Sequence, residues 1–139
     1  MEEPAKYLLF HGVIILLFAL LAGFPYARSI LKKEAENIIF AWRVAHSALI
    51  MGAILMLALV PILSYLNVEL KVLWIISGLF IISGYTFLFA LYLGPIVGHR
   101  GLYYGKEFSA KLVYLGNSIG ALTSLLGTLL LLYASWKSL

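Results

Sequence analysis

The sequence predicts an all-α fold, an integral membrane four-helix bundle, and three observations predict it. Of the 139 residues, 63% are hydrophobic and only 12% are charged. Soluble domains carry about 45–50% apolar and about 25% charged residues, so this chain lies outside that class. The apolar residues fall into four long runs, each holding at least the roughly 20 residues that a helix needs to cross about 30 Å of hydrocarbon. The charges fall between these runs and at their ends, as loop residues do in membrane proteins.

The first run covers residues 7–26. It follows Met1-Glu2-Glu3-Pro4 rather than a basic segment, and no clear cleavage site follows it, so it reads as a retained span rather than a secretory leader. Pro25 and the polar stretch beyond it are expected to close this run. The second run covers 44–66, the third 72–97 and the fourth 108–133. Their length and lack of strict alternation favour helices over barrel strands. Pro61 and Pro95 lie inside apolar runs and are expected to mark kinks or helix ends. Gly116, Gly120, Ser124 and Thr128 recur every four residues, as do Ala48 and Gly52, a spacing that permits close helix approach in lipid. Packing alone is the simpler reading of these small residues. The layout leaves room for a single transmembrane domain over 1–139, without a repeat or a low-complexity segment.

Charge sets the expected orientation. Arg28, Lys32, Lys33 and Arg43 lie between the first two spans, and Arg100, Lys106 and Lys111 lie around the third connection. Lys6, Lys71 and Lys137 lie on the other side. Seven basic residues against three place the stretches 27–43 and 98–107 in the cytoplasm and both termini outside. Trp42, Trp74 and Trp136 stand near span ends, where aromatic belts form. The net charge of +4 is thus a membrane pattern and does not imply nucleic acid. There is no cysteine, which excludes disulfides, zinc–cysteine sites, iron–sulfur clusters and thiol nucleophiles.

The histidines carry the sharper chemistry. His11 and His46 fall inside apolar runs and His99 just beyond the third. An ionisable residue at that depth is a functional-site candidate, against the plain alternative of an interhelical hydrogen bond from a neutral ring. At the helical rise, His46 lies about 5 Å in from Arg43, whereas His11 lies about 22 Å from Tyr26. Those two cannot share one metal within a subunit, but His46 and His99 lie at similar depth. Structural zinc wants four ligands, and the six glutamates lie outside or at the ends of the spans, so zinc and carboxylate-bridged centres fit poorly. Haem needs one protein ligand and an apolar slot, with basic residues such as Arg43 and Arg100 near its propionates. It is the metal cofactor that these residues accommodate best.

Short motifs in order then add a family. His11-Gly12, the segment Ala41-Trp42-Arg43-Val44-Ala45-His46-Ser47, the segment Arg100-Gly101-Leu102-Tyr103-Tyr104-Gly105 and Phe108-Ser109 together resemble styrene oxide isomerase. That resemblance covers nearly the whole chain. It implies a small four-helix membrane protein, assembled as a homotrimer, with haem b near subunit contacts. It implies His46 as the axial, metal-ligating histidine, with Arg43, Ser47 and Arg100 around the cofactor. It also implies conversion of a small apolar aryl epoxide to an aldehyde by a Meinwald rearrangement, with ferric haem as the Lewis acid.

The pocket departs from that pattern. The family uses an asparagine shortly after the axial histidine and a tyrosine in helix three. Here the stretch Ser47-Ala48-Leu49-Ile50-Met51-Gly52 has no asparagine. Tyr85 and Tyr92 are the candidates for the tyrosine, and with Phe89 they form a stripe at helical spacing that either lines a pocket or simply packs. Asn117 is the asparagine well inside a span, able to supply a substitute amide or a helix–helix hydrogen bond. Three readings follow: a haem-dependent epoxide isomerase, a membrane haem protein for sensing, haem carriage or electron transfer, and a haem-free assembly protein.

Overall fold

The computed structural model describes residues 1–139 and contains five α-helices and no strand. Helices α1 (Glu3–Leu21) and α2 (Gly23–Leu31) together form the first crossing. Helices α3 (Glu36–Leu63), α4 (Leu70–Val97) and α5 (Phe108–Lys137) form the other three. Each crossing is long and apolar enough to span a bilayer. Met51, Ile54, Leu122, Leu125 and Leu129 point outward and are each more than half exposed. In water such a girdle would be an aggregation liability, whereas in lipid it is the ordinary outer surface.

The first crossing differs from its expected outline. Pro25 does not close it, because the helix breaks earlier, at Ala22, and Pro25 then falls in the first turn of α2. A missing N–H costs no intrahelical bond in that turn. The helix therefore runs on to Leu31, and Arg28 and Arg43 sit on helices rather than in a loop. The connection from α2 to α3 shrinks to residues 32–35, turned by Lys33 at φ 51°. Pro61 lies two residues before the end of α3, and Pro95 lies in the last turn of α4, which stops at the left-handed Gly98.

Helices α1, α3 and α4 pack on one another around Leu8, Ile15, Met56, Leu63, Ile76 and Phe80. Gly12 brings α1 close to α3, since a Cβ there would lie 3.1 Å from Leu57 Cδ2. Helix α5 lies along α4 only, and none of its Cα atoms comes within 8 Å of α1 or α3 at three or more residues' separation. Its contact face is Val113, Gly116, Gly120 and Gly127. A Cβ at Gly120 would lie 2.9 Å from the Phe87 ring, and one at Gly116 would lie 2.9 Å from Ala90 Cβ. The buried Ser83 hydroxyl donates to the Gly120 carbonyl at 2.8 Å and adds a polar link between these two helices. Ser124 and Thr128 leave this face. Their hydroxyls turn back on their own helix, to Ala121 and Ser124 carbonyls. Ala48 and Gly52 likewise meet no helix, and a Cβ at Gly52 would find nothing within 4 Å. They border a groove between α3 and α5, floored by α4.

The chain order alternates the crossings, so connections 32–35 and 98–107 lie at one end. The termini and residues 64–69 lie at the other, where the Asn67 N–H donates to Ser138 Oγ at 2.7 Å.

Candidate functional site

His46 stands on α3 where that helix meets the broken first crossing. Its Nδ1 lies 2.8 Å from the Ala19 carbonyl oxygen, and its ring lies against Gly23. A carbonyl only accepts, so the proton of this bond is on Nδ1 and the neutral ring keeps its lone pair at Nε2. Nε2 has no partner within the chain, and the residue is only partly buried. Tyr26 lies beside it, with ring centroids 6.3 Å apart. Arg43, one turn earlier on α3, donates from Nε to the Tyr26 hydroxyl at 3.0 Å. His46, Arg43 and Tyr26 thus form one cluster facing outward near the basic end. Ser47 follows His46, but its hydroxyl donates to the Arg43 carbonyl at 2.9 Å.

The other two histidines are also bonded through Nδ1. His99 Nδ1 accepts the Gly101 N–H at 3.0 Å, and its Nε2 is buried without a partner, 3.0 Å from where a Gly105 Cβ would lie. His11 sits towards the opposite end, bonded through Nδ1 to the Tyr85 hydroxyl at 2.9 Å and surrounded by Tyr7 and Phe10. No group of three or more His, Asp or Glu side chains converges anywhere.

The tyrosine stripe of α4 turns towards α1. Tyr85 is taken by His11, and Tyr92 donates to the Phe18 carbonyl at 2.5 Å while its ring meets Trp42 edge-on. Phe89 faces outward, beside Tyr92 in a shallow apolar depression with Phe18 and Ile96. The α3–α5 groove lies elsewhere. It holds a cavity of about 320 Å³ lined by Ala48, Gly52, Phe80, Phe87, Leu91 and Ser124, among others. Leu91 also borders a smaller pocket nearer the basic end that reaches Arg100 and Asn117. There Asn117 Nδ2 donates to the Arg100 carbonyl at 3.0 Å and pins the α4–α5 connection, and its Oδ1 is buried without a partner. The Arg100 guanidinium lies 4.6 Å over the Phe40 ring. Arg100 and Asn117 are therefore together, while His46 and Arg43 stand on another side of α3.

Reading side chains could not reveal Ala19, Gly23 and Tyr26 as part of the cluster. Two of the three act through backbone. The one local signal was the pair Gly23 and Pro25, which marks an interrupted helix.

Four apolar crossings define a multi-pass membrane protein, in which a histidine near the cationic end keeps one ring nitrogen without a partner. The sequence profile of styrene oxide isomerase matches residues 4–136, and the chain belongs to that family. No curated protein sequence matches it.

Proposed function

We propose that this chain is a haem b-dependent epoxide isomerase that converts a small apolar epoxide into an aldehyde. Family membership supports the reaction class, and one structural observation carries the cofactor: the open Nε2 of His46, on a ring whose Nδ1 is already bonded. A metal-ligating histidine ordinarily donates its other N–H to a carbonyl or carboxylate, and His46 donates its Nδ1–H to the Ala19 carbonyl. The surroundings suit haem. The Arg43 guanidinium held by Tyr26 provides a cation near the membrane edge for a propionate. When bound, ferric haem supplies a Lewis acid for the epoxide oxygen.

The protein's own part is to hold the substrate dry and oriented. In the rearrangement the C–O bond at the substituted carbon breaks, a hydride moves from the neighbouring carbon and the carbonyl double bond closes. All atoms and electrons stay within the substrate. Water in the site would trap the cation as a diol, and the apolar groove excludes it. The Phe80 and Phe87 rings at the groove can face the growing positive charge. Asn117 is the amide we assign near the groove's basic end in place of the family's asparagine: its Oδ1, without a partner, carries the negative end of a dipole that can face the positive charge growing on the substituted carbon.

His46 and Gly52 are six residues apart, so they stand about 120° apart around α3. One copy therefore does not bring the groove against the open nitrogen. A homotrimer in which the groove of one subunit meets the His46 face of the next does, and this supports the trimer that the family implies. The test is direct. The purified protein should show a Soret band when oxidised and when reduced, and should turn styrene oxide into phenylacetaldehyde. Intact haem with no turnover of any epoxide would favour a membrane haem protein without isomerase activity. No Soret band after haem supplementation would remove haem from the reading.

A further inference from the structure

Pro25 has no N–H for the carbonyl of Leu21, four residues before it, and the first crossing is interrupted between Leu21 and Gly23. Two carbonyls in the last turn of α1 receive side chains from other helices. Phe18 O accepts the Tyr92 hydroxyl from α4 at 2.5 Å, and Ala19 O accepts Nδ1–H of His46 from α3 at 2.8 Å. Just past the break, Gly23 underlies the His46 ring. A Cβ there would lie 3.3 Å from Cε1, 3.6 Å from Nδ1 and 3.8 Å from Nε2. Three ring atoms at nearly equal distance from one point mean that the ring lies across Gly23, a seat that any side chain would fill.

We propose that the helix break at Ala22 is the positioning device of His46: the Ala19 carbonyl fixes the Nδ1–H tautomer, and Gly23 sets the plane of the ring that presents Nε2. The identity of what Nε2 binds rests on the haem reading. The tautomer and the seat do not. A single bond to Ala19 O would still let the ring pivot about that bond. Contact of the ring face with Gly23 removes this freedom. The ring plane of an axial imidazole governs its overlap with iron orbitals, and the carbonyl bond at Nδ1 governs its basicity. Both are therefore set here by backbone atoms of α1 and α2.

The test has two arms that fail separately. In ¹⁵N-histidine-labelled protein in nanodiscs without haem, with the His46→Gln variant assigning the signals, the singly protonated His46 ring should carry its proton on Nδ1. A proton on Nε2 overturns the proposal whatever the cofactor. In haem-loaded protein, Gly23→Ala and then Gly23→Val should shift the ferric EPR g values and the reduction potential in a graded way. Gly78→Ala, where a Cβ meets nothing within 4 Å, should leave both at wild-type values. Haem-loaded Gly23 variants with unchanged g values and potential overturn the seat. A Soret band that survives in His46→Ala would sink His46 as the haem ligand instead, and the NMR arm would still decide the tautomer.

Discussion

His46 and His11 are both intramembrane histidines bonded through Nδ1, but their partners separate them. His46 is bonded to a backbone carbonyl, with Tyr26 and Arg43 beside its ring, whereas His11 is bonded to a phenol inside an aromatic cluster. His46→Ala should therefore abolish or strongly weaken haem binding, and His11→Ala should leave the haem spectrum at wild type. A Soret band that follows His11 instead would reverse the assignment. Tyr85 belongs with His11, so Tyr85→Phe should act on stability. Loss of one interhelical hydrogen bond in lipid costs about 0.6–1 kcal/mol, measurable as a small drop in thermal unfolding, with the haem spectrum unchanged. At this scale the sequence was legible where a rare residue stood in an apolar run, as with His46. It was not legible where the partner was a carbonyl, because Ala19 and Phe18 look like any other apolar residue in a span. The tyrosine stripe shows the same gap. Periodicity put Tyr85 and Tyr92 on one face, but only the structure shows that each hydroxyl is held by α1.

The elements follow from hydropathy, and their contacts follow from glycine. Four apolar runs fixed the number of crossings because hydrocarbon demands that length whatever the neighbours do. The break at Ala22 escaped the same reasoning, since a proline early in a new helix and a proline ending an old one look alike in sequence. The four-residue spacing of small residues identified Gly116 and Gly120, but the seam then drifts to Gly127 rather than Ser124. At 3.6 residues per turn a strict four-residue step moves off a straight contact line. Gly120 is the tightest point of the α4–α5 seam against a ring, and Gly116 the tightest against backbone, 3.2 Å from the Thr86 carbonyl oxygen. Gly116→Val and Gly120→Val should each destabilise the protein by about 1–3 kcal/mol through overpacking. Gly78→Ala, facing open space, should fall within about 0.5 kcal/mol of wild type. Equal effects at all three positions in an unfolding titration would mean that α5 is not held by this seam.

The molecule as a whole is electrically lopsided, and this fixes how it should lie in the membrane. The end that carries the 32–35 and 98–107 connections has seven basic residues and three glutamates, and the other end has three of each, so the net +4 belongs to one face. Few of those cations are neutralised within the chain. The one ion pair, Lys6 with Glu3, is at the opposite end. At the basic end Arg43 leans on Tyr26, Arg100 lies over Phe40 and Lys111 lies over Tyr104, which orders the side chains and keeps their charge. Uncompensated cations on short connections are retained on the cytoplasmic side during insertion, so this end should face the cytoplasm and both termini the outside. The absence of cysteine makes a clean test possible. Lys33→Cys and Lys106→Cys should react with a membrane-impermeant maleimide only after the cells are permeabilised, whereas Asn67→Cys should react in intact cells. Labelling in the opposite order would invert the molecule. The His46 cluster would then open towards the outer leaflet.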